Sequence, residues 1–384
     1  MGHLTGDKVL TEIAARLKSE IRSEDTLARL GGDEFTIIMQ DINHGEEASF
    51  LAEKITKVAS QPVDIDEQSL YVTTSIGISL YPDDGDNSED LLMYADNAMY
   101  KAKEEGRNNY QFYSSEMTTL ALSKVIMESS MRNALEKEEF RIYYQPQING
   151  LTNQVIGMEA LVRWEHPTIG LISPDKFIPL AEETGLIVEI DKWVMKTAMK
   201  QVSQWYEQGL YPGILALNLT MKLLERKDFS DIIKSLLEET QINTKWLEFE
   251  VTESQIMKNP ENAISKLLEI GKMDINIAID DFGTGYSSLS HLKQLPIDKL
   301  KLDRSFISDI PDDEDDMSIT IAIISLAKNL NINVLAEGVE TQEQKDFLIE
   351  NGCIDIQGYL YSKPIPTDEM QKYLLRQNNT SSYV

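Results

Sequence analysis

With 384 residues the chain is long for a single hydrophobic core, so two domains are the first expectation. Its composition, 42% hydrophobic and 26% charged, is that of an ordinary globular protein and excludes a disordered one. The net charge of −28 excludes a general binder of duplex nucleic acid, whose phosphates it would repel, but leaves room for a small anion neutralised by metal ions or a few bases.

One cysteine, Cys353, rules out an intramolecular disulfide framework and fits a reducing cytosol, and four histidines beside it make a structural zinc site a poor fit. No apolar run is long enough to span a bilayer, and Met1-Gly2-His3 does not open a signal peptide, so a cytoplasmic protein is expected. Much of the acidic surplus reads as solvated surface, as in Asp312-Asp313-Glu314-Asp315-Asp316.

In chain order, "SSEMTTLALSKVIMESSMRNALEKEEF" at 114–140 reads as a helical connector, with a domain boundary near Ser114–Ala121. Short apolar runs then recur at Arg141–Gln145, Val155–Val162, Ile214–Leu219, Leu247–Thr252, Ile275–Asp281, Lys299–Asp303, Asn333–Gly338 and Ile356–Tyr361, with helix-like segments between most of them. Ser173-Pro174 supplies a capping hydroxyl and a proline for a first turn, and the apolar spacing that follows predicts helix closing on Gly209. The end, "RQNNTSSYV", is polar, and 377–384 is expected to be a frayed tail.

Eight strands alternating with helices predict parallel pairing and a closed (β/α) barrel, whose chemistry gathers at the carboxyl ends of its strands. Polar residues fall at those ends: Gln145, Glu159, Asn218, Glu250, Asp280 with Asp281, Lys301, Glu337 and Gln357. Each alone has a plain reading as a loop-facing polar group; eight strands each delivering one predict a common mouth. Adjacent aspartates at a strand end are either a solvated turn or a cation site. Several carboxylates converging in a pocket are disfavoured without a cation, and this oxygen set with the Asn218 carbonyl suits Mg²⁺ or Mn²⁺. A two-metal phosphoryl site would employ both aspartates. Lys301 and Arg163 are then phosphate and transition-state partners, a surface salt bridge being the plain alternative for Arg163. Glu337 is either a general base toward water or the holder of a loop, and Glu253 a loop anchor. Gly283 and Gly285 would let the loop after the fifth strand fold tightly. The reaction class is metal-assisted hydrolysis of a phosphodiester.

"YYQP" at 143–146, "EALVRWEHP" at 159–167, "FIPLAEETGLI" at 177–187, "LNLT" at 217–220, "EVTES" at 250–254, "DDFGTGYSSL" at 280–289, "LKLDRSFI" at 300–307, "AEGVET" at 336–341 and "QGYLYSKP" at 357–364 resemble the EAL family of cyclic di-GMP phosphodiesterases, in family order. The resemblance implies a TIM-like barrel over 123–376, after a connector at 114–122, that linearises cyclic di-GMP to pGpG with two Mg²⁺ or Mn²⁺ ions. By position, Glu159, Asn218, Glu250, Asp280 and Asp281 resemble the metal ligands, and Lys301 the catalytic lysine. Glu337 resembles the glutamate that serves the water, Glu253 the loop anchor, Glu340 and Gln357 further site residues, and Gln145 and Arg163 the substrate-contacting pair. Threonine at 220 and leucine at 302 depart from the usual serine and isoleucine without removing a ligand. A degenerate, non-hydrolytic cyclic di-GMP receptor is the alternative, and it should have lost a ligand or the lysine. The family also implies a homodimer through the barrel.

Residues 1–113 resemble the GGDEF (diguanylate cyclase) family, an α/β sheet domain. "RLGGDEF" at 29–35 carries Asp33 and Glu34, "GHLTGD" at 2–7 carries Asp7, and "YKAKEEGRNNY" at 100–110 carries Lys103 and Arg107. Arg22-Ser23-Glu24-Asp25 stands at the spacing of that family's inhibitory product site, through Arg22 and Asp25. The family's first strand and its metal-binding aspartate would lie before Met1. The expectation is therefore a domain inactive as a cyclase, with regulation and GTP binding as its remaining roles, and with an upstream sensor or membrane tether outside this chain.

Overall fold

The computed structural model describes residues 3–42, 45–65, 68–283, 292 and 295–381. The segment 284–291, with Gly285 and most of the glycine loop, lies outside the described residues. The chain forms two compact units, Met1–Met127 and Glu128–Val384.

In the first unit, helix α1 (His3–Glu20) leads into the hairpin β1 (Thr26–Gly31) and β2 (Glu34–Ile38), followed by helix α2 (Gly45–Ala59). A short hairpin, β3 (Val63–Ile65) and β4 (Gln68–Leu70), precedes β5 (Ile76–Ile78), helix α3 (Ser88–Glu104) and β6 (Tyr110–Phe112), which pairs parallel to β5. The Asn87 side chain accepts from Asp90 N (2.9 Å) and so caps the start of α3. Leu17, Leu51 and Ile55 form a core against Ile13, Phe35 and Ile37. The strands pair as three separate two-stranded ladders. Helix α4 (Ser115–Glu136) spans the expected connector and carries the chain into the second unit.

The second unit is a closed barrel. Strands β7 (Phe140–Asn149), β8 (Gln154–His166), β10 (Ile214–Asn218), β11 (Leu247–Thr252), β12 (Asn276–Phe282), β13 (Lys299–Leu302), β14 (Asn333–Ala336) and β15 (Asp355–Gln357) form the ring, with β9 (Gly170–Ile172) and β16 (Ile365–Pro366) added at its margins. Pairing is parallel from β8 through β10 to β15, but β7 runs antiparallel to both of its neighbours, β8 and β15. All-parallel pairing is thus corrected at one strand. The reason is the connection: β7 and β8 are joined by a short turn at 150–153, and so short a link joins only antiparallel strands.

The single long helix expected after Ser173 is two helices, α5 (Pro174–Thr184) and α6 (Ile187–Glu207). Gly185 separates them, adopting φ 80° and closing α5 as a left-handed cap. Ser173 stands at the N-cap position, yet its hydroxyl bonds the Asp175 carboxylate rather than a backbone N–H. The final helix, Thr367–Ser381, extends into the segment read as a tail.

Period-two alternation sorts the barrel strands. Phe249 and Val251 alternate with Glu248 and Glu250, and Leu300 and Leu302 alternate with Lys299 and Lys301, all buried. The charged set shares the barrel interior. Lys299 Nζ lies 2.7 Å from Glu248 Oε1 in a buried pair one layer below Lys301 and Glu250. Neither charge is left alone inside the protein, where an unpaired ion would be strongly disfavoured.

Candidate functional site

Lys301 organises the mouth of the barrel. Its side chain is 1% exposed, and Nζ lies 2.9 Å from Glu250 Oε2, 2.9 Å from Glu337 Oε1, 3.1 Å from Asp280 Oδ1 and 3.6 Å from Glu159 Oε2. Four strands supply these carboxylates: β8, β11, β12 and the end of β14. Asp280, Asp281 and Glu337 each offer a carboxylate oxygen within 4.8 Å of the others. Asp281 adopts φ 53°, an uncommon backbone state for a non-glycine residue, and its N–H donates to Asp280 Oδ1 (3.1 Å).

Amides orient the carboxylates. Asn218 Nδ2 donates to Glu159 Oε1 (2.8 Å), which leaves the Asn218 carbonyl oxygen for another partner. Gln357 Nε2 donates to Glu159 Oε2 (2.6 Å) and to Gln145 Oε1 (3.2 Å), while Gln145 Nε2 donates to the carbonyl of Ser362 (3.2 Å). Because β7 is antiparallel, Gln145 lies in mid-strand directly opposite Glu159, not at a carboxyl end as expected. Both reach the same centre because cross-strand partners share a face.

Glu253, 2% exposed, receives the Gly283 N–H on Oε2 (2.9 Å) and so pins the backbone just after Asp281. Gly283 has φ 103°, and a Cβ there would meet the Phe306 ring at 2.8 Å, so both conformation and space require glycine. Arg163 is half-buried, donates to the Val162 carbonyl (2.8 Å) and lies over the Tyr143 ring, 5.7 Å from its centroid. No ion pair of Arg163 appears among the described residues. Burial draws its guanidinium below the usual value, against the attraction of Glu159. Glu340 is exposed; its N–H donates to Gln344 Oε1 (2.7 Å) beside a helix start, and no contact joins it to the Lys301 cluster among the described residues.

The charge balance is uneven. Four carboxylates lie around one ammonium with a fifth, Asp281, beside them, and the fully buried Glu250 carboxylate has, among the described residues, only Lys301 at 2.9 Å from Oε2 to compensate it. Burial raises the Glu250 carboxyl well above the usual range, and Lys301 opposes the rise without cancelling it. Burial likewise raises Glu337 to about 8, with Lys301 opposing and Asp280 and Glu159 adding to the rise. The surrounding carboxylates outweigh desolvation at Lys301 and hold its ammonium well above the usual value. An all-oxygen set with surplus negative charge fits a hard divalent cation.

These shifts carry a sign. Glu337 binds its proton more tightly folded than unfolded, so its contribution to stability is full below pH 4.5 and is lost as pH rises through about 8. Without divalent ions the melting temperature should therefore fall from about pH 5 to pH 9. With Mn²⁺ present the fall should shrink, because the cation replaces the protons. Thermal melts against pH, with EDTA and with Mn²⁺, read both; a metal-free melting temperature that rises over this range would contradict the assignment.

The first unit does not assemble a comparable cluster among its described contacts. Asp33 occupies the β1–β2 turn and Glu34 begins β2, both exposed. Asp7 is exposed on α1, Lys103 lies in the last turn of α3, and Arg107 follows in a loop at φ 59°. The Arg22 side chain pairs with Glu47 (2.9 Å), and Asp25 accepts from the N–H groups of Arg22 (3.0 Å) and Gln40 (3.2 Å). Both members of the pair read as an inhibitory site thus have partners within the unit.

Gln147 was missed in the sequence reading. It is 1% exposed, faces the same way as Gln145 two residues earlier, and donates from Nε2 to Gln357 Oε1 (3.1 Å). The period of two beyond Gln145 is the signal that would have found it.

Comparison with known proteins gives a consistent picture. Residues 128–364 match the family described as EAL domain, and residues 1–109 match the diguanylate cyclase, GGDEF domain. The bifunctional diguanylate cyclase/cyclic di-GMP phosphodiesterase MucR of Pseudomonas aeruginosa is 42% identical over 369 residues, covering 96% of this chain and 54% of MucR. The cyclic di-GMP phosphodiesterase NbdA of the same organism is 40% identical over 374 residues, covering 97% of this chain and 48% of NbdA. The chain thus spans about half the length of these curated relatives. A solved structure described as a PaMucR phosphodiesterase, c-di-GMP complex superposes with a TM-score of 0.62 at 40% identity, covering 64% of this chain and 99% of that one. No described helix is long and apolar enough to cross a membrane.

Proposed function

Because the chain belongs to the EAL domain family, with a GGDEF domain ahead of its barrel, we propose that it hydrolyses cyclic di-GMP to linear pGpG at the barrel mouth, using Mg²⁺ or Mn²⁺. The observation that carries the reading is the buried Lys301 ammonium faced by four carboxylates, Glu250 among them fully buried. Structural relatives bind cyclic di-GMP, and the family uses divalent metal.

Glu159, Asn218, Glu250, Asp280 and Asp281 would hold the cations, whose chemistry when bound is to polarise the phosphodiester and ease deprotonation of water. Lys301 stays protonated and opposes the charge that develops on phosphate oxygens. Glu337, 2.9 Å from Lys301, is placed to hold or accept a proton at Oε1. Gln357 and Asn218 each fix one Glu159 oxygen. Gln145 and Arg163 are the groups for substrate contact, with Glu340 at the rim. Hydrolysis adds one water across one P–O bond, so a single centre suffices for linearisation. A homodimer through the barrel, a reducing cytoplasm suited to the buried Cys353 thiol, and a GGDEF domain that regulates through GTP complete the reading.

Turnover of cyclic di-GMP by this chain with Mg²⁺ or Mn²⁺, against EDTA and a Glu159→Ala control, tests it. Metal-dependent pGpG that disappears in the variant is the expected result. Tight binding without turnover under either metal would replace the hydrolase with a receptor.

A further inference from the structure

Gln357 has a demanding position. Its Nε2 serves two oxygens at once, Glu159 Oε2 (2.6 Å) and Gln145 Oε1 (3.2 Å), so the amide works in only one of its two orientations. Inverted, its carbonyl would face the Glu159 carboxylate and repel it. A primary amide inverts about its last torsion unless its neighbours distinguish oxygen from nitrogen. Glu159 does this on the nitrogen side, and Gln147 does it on the oxygen side, donating from Nε2 to Gln357 Oε1 (3.1 Å).

Gln147 is costly to keep. It is 1% exposed, and its own Oε1 is buried with no donor among the described residues, so an apolar side chain of the same size would sit there with less penalty. Space has also been made for it. The residue opposite on β8 is Gly157, where a Cβ would come within 2.9 Å of Gln147 Oε1 and 2.7 Å of the Ile214 carbonyl. The retained contact is the one that leads through Gln357 to Glu159.

We propose that Gln147 is a positioning residue: by donating to Gln357 Oε1 it fixes that amide, and so holds the Glu159 carboxylate in the orientation that receives a divalent cation. The inference rests on the metal-dependent reading of the barrel mouth. Its chemistry is a relay of orientation, with no proton or bond exchanged.

The test is Mn²⁺ affinity of the full chain, by electron paramagnetic resonance in nucleotide-free buffer, with thermal melts and pGpG production in parallel. Gln147→Met should weaken Mn²⁺ binding about 10-fold, as partners that orient metal ligands typically do, while the melting temperature holds or rises. Gln357→Met should weaken binding at least as much, and adding Gln147→Met to it should cost nothing further. Unchanged affinity in Gln147→Met, or full additivity in the double variant, overturns the proposal. A collapse of the melting temperature in both Gln147→Met and Gln147→Leu makes the residue structural and overturns it too. If the wild-type chain binds Mn²⁺ but releases no pGpG, the hydrolase reading fails while the affinities still decide the role of Gln147. If it binds no Mn²⁺, both fall.

Discussion

Replacing Glu250 with glutamine should leave the metal-free barrel as stable as the parent or up to about 2 kcal/mol more stable, while lowering Mn²⁺ affinity at least about 100-fold and abolishing turnover. The two effects have one origin. Glu250 is a fully buried carboxylate whose compensation among the described residues is Lys301 at 2.9 Å from Oε2, and burial drives its carboxyl well above the usual range. A neutral amide of the same shape removes the cost of burying that charge. Lys301 keeps Glu337 and Asp280 at 2.9 and 3.1 Å, so its own charge stays compensated. What is lost is an anionic oxygen for a cation. Urea unfolding in EDTA and Mn²⁺ titration measure the two halves; a variant clearly less stable without metal would mean that Glu250 stabilises the fold rather than serving a site.

Lys301→Met should act in the opposite sense. Removing the ammonium leaves buried carboxylates facing one another, and loss of one partner of a buried charge set costs about 3–5 kcal/mol. Divalent ions should restore much of this stability, since a cation can take over the compensating charge, yet turnover should stay absent. Denaturation curves with and without Mn²⁺ would show a metal-dependent gain larger in the variant than in the parent. Equal stability of variant and parent in EDTA would sink the electrostatic account of the cluster.

The barrel was largely legible because most of its strands are short apolar runs ending in one polar group, and Glu159, Asn218, Glu250, Asp280, Glu337, Gln145 and Gln357 meet through Lys301, Glu159 and Gln357 with Asp281 beside them, whereas the contacts described for Arg163, Glu253 and Glu340 lead elsewhere. Strand direction was not legible. Periodicity of apolar residues is the same for a strand and its reverse, and only the short turn at 150–153 betrays that β7 and β8 form a hairpin. The break between α5 and α6 hid for a related reason: apolar spacing runs through Gly185, and only its left-handed conformation stops the helix. Gln147 was hidden because a polar residue one strand-period from a known site looks like any half-exposed strand residue until burial is known. The buried Lys299–Glu248 pair also goes unmarked in the sequence, where nothing in the two apolar runs that carry it says that the charges meet.

The reversed strand has a consequence for how the barrel can be addressed. In an all-parallel barrel the chain enters at the face opposite the chemistry. Here β7 runs the other way, so Phe140 begins beside Trp164, on the rim that carries Arg163, and Glu139 just before it accepts the Trp164 indole N–H (3.0 Å). The first strand is thus fed into the barrel from the reactive side, and its descent passes Gln145 before the hairpin rises again through Glu159. A tug, twist or change of length in the chain ahead of Phe140 would be applied at the doorway of the site, with no need for a signal to cross the core.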